Sequence, residues 1–124
     1  MFFLVCKALF GLLVFDLFGL RRDFARMHRV VSSWRVSRLN PPPETAENVC
    51  RAINFACVIY PRRVFCLQRS AVTTCLLRRC GIHARMIMGA QPVPFKAHAW
   101  TEINDRAVNE PHDVQTIYSV WERC

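Results

Sequence analysis

Residues 66–88 read CLQRSAVTTCLLRRCGIHARMIM, and the hydrophobic period changes inside this stretch. From Cys66 to Cys80 the apolar residues recur at helical spacing. After Gly81, Ile82, Ala84, Met86 and Met88 alternate with His83, Arg85 and Ile87, which is the period of a strand. Gly81 stands where a left-handed cap ends a helix, and Arg78 and Arg79 fall in the last turn, where cations complement the helix dipole. A helix closing at Gly81 and a strand over 82–88 follow, so the chain mixes helix and sheet.

Downstream, Gly89–Pro94 is dense in turn formers and reads as a loop. Ala97, Ala99, Thr101 and Ile103 then alternate with His98, Trp100 and Glu102. Asn104-Asp105 marks a turn before a short strand over Arg106–Asn109, and Thr116–Trp121 is a last strand. Upstream, Ala46, Val49, Cys50, Ile53, Ala56, Cys57 and Tyr60 form one apolar stripe on a helix from Glu44 to Tyr60, stopped by Pro61. Asn40-Pro41-Pro42-Pro43 breaks the chain before it.

In the Leu20–Leu39 segment, Leu20, Phe24, Met27, Val31 and Trp34 share one helical face, while Arg22, Arg26, Arg29 and Arg35 take the others. The first twenty residues, MFFLVCKALFGLLVFDLFGL, approach the length of a membrane span. Lys7 and Asp16 interrupt the run and no basic region precedes it, so we expect a buried or interface helix and no membrane span, with a face that docks on a partner or a membrane as the alternative. Helices first and an antiparallel meander after them make an α+β fold. Residues 1–43 form an N-terminal helical region, packed as one domain with the core over 44–124.

Composition narrows the function. The chain has 124 residues, 52% of them apolar, and a net charge of +8, which excludes a disordered polypeptide and a multidomain machine. Seven cysteines, an odd number, with no convincing signal peptide, point to reduced thiols in a cytoplasmic protein. The charge raises nucleic-acid binding, but the aromatics fall on packing stripes and no recognition motif is present, so no nucleic-acid partner is expected. Only four glycines occur and none makes a phosphate loop. Cys75, Cys80 and His83 space poorly for zinc, since Cys75 lies inside a predicted helix; no metal and no cofactor are expected.

Chemistry therefore rests on the thiols. A nucleophilic cysteine needs a depressed pKa, a base in reach and donors for an oxyanion, and a helix N-terminus lowers the pKa and offers free N–H groups. Cys66 alone among the seven occupies that position; the alternative for it, as for the others, is a core thiol. The base must be one of His28, His83, His98 and His112. His28 lies in the arginine-rich helix and reads as solvent-facing, His83 as outward on a strand, and His112 as a loop residue. His98, flanked by Ala97 and Ala99 on a strand that follows the helix, has room for close approach. The group orienting its ring depends on the turn. A two-residue turn at Asn104-Asp105 puts Asn109 opposite Trp100 on the face of His98; a three-residue loop puts Glu110 there.

FCLQRS (65–70), LLRRCG (76–81), PFKAHAWTE (94–102) and VNE (108–110) together resemble the lasso peptide biosynthesis B2 protein family, transglutaminase-like cysteine proteases. The resemblance extends over nearly the whole chain and implies a transglutaminase- or papain-like core and a leader peptidase. Such an enzyme cleaves the leader from a ribosomally made lasso precursor. It works beside a separate leader-recognition protein and an ATP-dependent lasso cyclase. By the resemblance Cys66 is the nucleophile and His98 the base, and the family's acid, an aspartate, falls on Glu110. Glutamate is one methylene longer, which leaves Asn109 and Asp113 as substitutes for the third role. Two readings compete: a basic peptide- or nucleic-acid-binding module, and an inactive scaffold of the same fold.

Overall fold

In the computed structural model, helix α4 (Cys66–Arg79) runs through the middle of the molecule, with Leu67, Gln68 and every residue from Ser70 to Arg78 buried. A helix buried along most of its length must satisfy its polar groups, and most polar side chains of α4 do so, Gln68 Oε1 being left without a hydrogen-bond partner. Residues 1–19, 23–110 and 114–124 are described. The Leu20 and Arg22 positions of the arginine-rich segment, and His112 and Asp113, lie outside them.

Around α4 pack α1 (Phe2–Leu17), α2 (Phe24–Ser33) and α3 (Thr45–Ile59) on one side. On the other lies a sheet of β1 (Ala84–Pro92), β2 (Phe95–Ile103), β3 (Arg106–Val108) and β4 (Ser119–Arg123), with a short helix α5 (Val114–Ile117) before β4. This is an α+β architecture. The core joins Ala8, Leu12 and Phe15 of α1 to Met27 and Val31 of α2, Val49 and Ile53 of α3, and Met86 and Met88 of β1. Burying side chains of this size stabilises the fold by about 1.5–3 kcal/mol each. A smaller cluster, Ile87, Trp100 and Val114, fills the far face of the sheet. No helix among the described residues is long and apolar enough to cross a membrane.

Several boundaries differ from the sequence reading. The arginine-rich helix ends at Ser33, before Arg35 and Leu39, with Trp34 extended at φ −80°, ψ 117°. The end is held by Arg78, expected as a cation that complements the dipole in the last turn of its own helix. It is buried, and its guanidinium donates to Val31 O (2.6 Å) and Trp34 O (3.0 Å) at the end of α2 and to Ala84 O (2.8 Å) at the start of β1. A charge inside the fold thus closes two elements at once.

Gly89–Pro92, expected in a loop, belongs to β1, which turns at a cis Val93-Pro94 bond into β2. Gly89 is required inside the strand, because a Cβ there would sit 2.9 Å from Ser119 O and 3.0 Å from the Trp100 ring. The register of β1 on β4 also shifts beside it. The strand order is β3-β2-β1-β4, all antiparallel, so β4 returns to the edge beside β1 and the sheet is not a simple meander. The expected strand over Thr116–Trp121 is split: its first residues close α5, and β4 starts at Ser119.

Candidate active site

The thiol of Cys66 sits at the first residue of α4. The N-cap, Phe65, makes no side-chain cap hydrogen bond, so the first-turn amides are not taken by a capping side chain. His98 lies on β2 where β3 has already ended, since the β2–β3 pairing covers only 101–103 with 106–108. At that open edge Cys66, His98 and Glu110 line one cleft.

A polar seam fixes helix against strand. Ser70 Oγ donates to Ala99 O (2.8 Å), Thr101 Oγ1 donates to Ser70 O (3.1 Å), and Thr74 Oγ1 and Thr101 Oγ1 share a hydrogen bond of 3.0 Å, all buried. Each such bond contributes about 1 kcal/mol, but their geometric effect matters more here. They lock the register of α4 on β2 one turn from Cys66 and one residue from His98. Behind the imidazole, Trp100 stacks at 5.9 Å and Tyr118 lies tilted at 5.3 Å, which leaves the ring few orientations.

His98 Nε2 donates to Glu110 Oε1 at 3.1 Å, with the carboxylate almost buried. The other side of the ring is hydrogen-bonded to the Cys66 thiol, which leaves Nδ1 for that contact. Burial pushes the Cys66 thiol up. Hydrogen bonds from His98 and from the amides of Ala99 and Leu67, with the charge of His98, outweigh it and hold the thiol below its ordinary value. His98 moves the opposite way, to about 9, through its hydrogen bonds to Cys66 and Glu110, against the effect of burial. The two shifts describe a thiolate beside an imidazolium. Burial drives Cys50, Cys57 and Cys124 up, and Cys75 to about 12, so these stay neutral thiols.

The turn at Asn104-Asp105 has two residues, both with positive φ, and Thr101 pairs with Val108. On that register Asn109 was expected to orient His98, and it does not. Strand β3 stops at Val108, and Asn109 adopts φ 61°, which breaks the alternation and turns Glu110 towards the ring. The Asn109 amide pairs instead with Asn54 of α3. Arg69 completes this support, donating to Asn54 Oδ1 (2.8 Å) and Asn109 O (3.1 Å). Neither Asn54 nor Arg69 was singled out by spacing. Arg69 falls three residues after Cys66, one helical turn along the same side, which is the signal that could have found it. His83 is exposed ahead of β1, and His28, expected to face solvent, is half-buried 3.1 Å from Glu122; neither joins the site.

A family model described as the transglutaminase-like superfamily matches residues 11–122. The chain belongs to the transglutaminase-like superfamily. The matched span takes in Cys66, His98 and Glu110. No curated protein and no solved structure matches the chain.

Proposed function

We propose that this chain is a cysteine peptidase that releases the leader from a ribosomally made lasso peptide precursor in the cytoplasm. It would act with a separate leader-recognition protein and ahead of an ATP-dependent cyclase. The observation that carries the reading is His98 standing between a depressed thiol and a buried carboxylate, Cys66 on one side and Glu110 on the other. Superfamily membership and the FCLQRS, LLRRCG and PFKAHAWTE segments support it.

The Cys66 thiolate attacks the scissile carbonyl carbon, and the oxyanion that forms takes N–H groups from the first turn of α4. His98 gives its Nδ1 proton to the leaving amine as the C–N bond breaks, leaving a thioester. Water then attacks that carbonyl, His98 takes its proton, and the C–S bond breaks to return the thiolate and a carboxylic acid. Glu110 holds the ring in line and favours its charged form. The glutamate that follows the left-handed Asn109 reaches the ring at 3.1 Å.

Mass spectrometry of a precursor incubated with this chain and its leader-recognition protein tests the proposal. Free leader and a core with a new N-terminus are expected, with release slowed on the order of 10³-fold or more in Cys66→Ala. An intact precursor under those conditions, or equal cleavage by Cys66→Ala, overturns it.

A further inference from the structure

Helix α1 carries only Lys7 and Asp16 as charged residues, yet only Ala8, Leu12 and Phe15 of it are buried. Phe3 and Phe10 remain 77% and 68% exposed, two turns apart, with Lys7 between them on the same side. A helix apolar around its circumference is ordinarily covered on every face, and exposed apolar surface of this kind marks an interaction site. The uncovered side is concave. Gly11, where a Cβ would come within 3.1 Å of Val72, lets α1 and α4 approach closely and opens a notch between Phe10 and Val14. Cys75 and Leu76 of α4 form its floor and Trp34 its far wall, and the groove continues along α2 past Val30.

Cations stand along this groove: Lys7 and Arg79 on the first half, Arg26 and Arg29 on the second, all exposed. Among the described residues lining it there is no Asp or Glu on either half, so its charge is of one sign. We propose that this groove docks an acidic amphipathic peptide segment of another protein, its apolar side chains between Phe10 and Trp34 and its carboxylates on Lys7, Arg26, Arg29 and Arg79. A second copy of the chain would bring the same +8 charge against this rim. A bilayer surface covers protruding apolar side chains and does not fill a notch, whereas a helix laid in a groove inserts its anchors. Arg79 lies thirteen residues along α4 from Cys66, roughly 20 Å at helical rise, so the groove is a site apart from the catalytic cleft and does not depend on the catalytic reading.

Selection of a random peptide library on the full chain, counter-selected against Phe10→Ser, tests this. Selected peptides should carry net negative charge with apolar residues at three- to four-residue spacing. A synthetic copy should bind about tenfold or more weaker to Phe10→Ser and to Phe3→Ser. The double variant Lys7→Gln/Arg79→Gln should bind more weakly and with a shallower salt dependence. Alkylation of Cys66 should be unchanged in all of them, which shows that the fold and the catalytic cleft are intact. No enrichment, neutral or basic selected peptides, or equal binding by both Phe variants overturns the proposal. So does Phe10-dependent binding to phosphatidylserine vesicles, or Phe10-dependent dimerisation, in place of peptide binding.

Discussion

Asn54 and Asn109 exchange hydrogen bonds between their side-chain amides in both directions, 2.9 and 3.0 Å, across 55 residues of chain. The pair ties α3 to the residue just before Glu110, so it acts on His98 through the backbone. Asn54→Ala should lower stability by about 1 kcal/mol. It should also move the pH at which Cys66 becomes alkylatable upward, because Glu110 loses its fixed position. An unchanged pH profile of iodoacetamide labelling would reduce the pair to a purely structural role.

Glu110→Gln keeps the length of the side chain and removes its charge. The imidazolium then trades a charge-assisted hydrogen bond for a neutral one and loses the attraction of the carboxylate, both of which raise its pKa, and turnover by the proposed peptidase should fall on the order of 10²-fold or more. Glu110→Asp keeps the charge but draws the carboxylate back by one methylene from a 3.1 Å contact. It should retain part of the activity. Turnover measured for both variants beside wild type gives the order Glu, then Asp, then Gln; Gln equal to Glu contradicts the role given to the carboxylate.

Protonation of the site has a definite sign. His98, raised from 6.5 to about 9, contributes stability that is complete below about 6.5 and is lost as pH rises through about 9. Cys66, lowered from 9.0, contributes stability that is complete above 9.0 and is lost as pH falls through its depressed value. Where the two windows overlap the slopes cancel, because the pair holds one proton both folded and unfolded. Thiolate reactivity should therefore already be present near neutral pH. Peptide mapping after brief labelling at about pH 7 should find Cys66 modified about tenfold or more faster than the buried thiols; uniform labelling would contradict the ion pair.

Arg78→Met preserves the bulk of the side chain and removes every donor. The carbonyls of Val31, Trp34 and Ala84 then lose the guanidinium, and Val31 O keeps only the Trp34 amide. We expect a loss of about 3 kcal/mol or more, read as a fall in the denaturant midpoint. A midpoint within error of wild type would show that water replaces the guanidinium there.

The change of period at Gly81 was legible because it depends on side-chain spacing alone, and so was the order of Cys66 on a helix and His98 on a later strand. The extension of β1 through Gly89–Pro92 was not. Gly89 and Pro92 read as breakers unless one knows that the Trp100 ring and the β4 backbone press on Gly89. The choice between Asn109 and Glu110 was hidden for a similar reason. Pairing arithmetic assumes a regular strand, and one left-handed residue at its end exchanges which side chain meets the ring. The burial of Arg78 was not legible, because nothing local reveals that three carbonyls from other elements converge on it.

His98 and Glu110 are only twelve residues apart and are carried by one hairpin closed by a two-residue turn, while Cys66 comes from a different layer of the molecule. Imidazole and carboxylate thus arrive as a single prefabricated part, and the proposed catalytic centre is the seam along which that part is seated on the helix. Sliding the hairpin along α4 would leave both halves intact and the proposed peptidase silent.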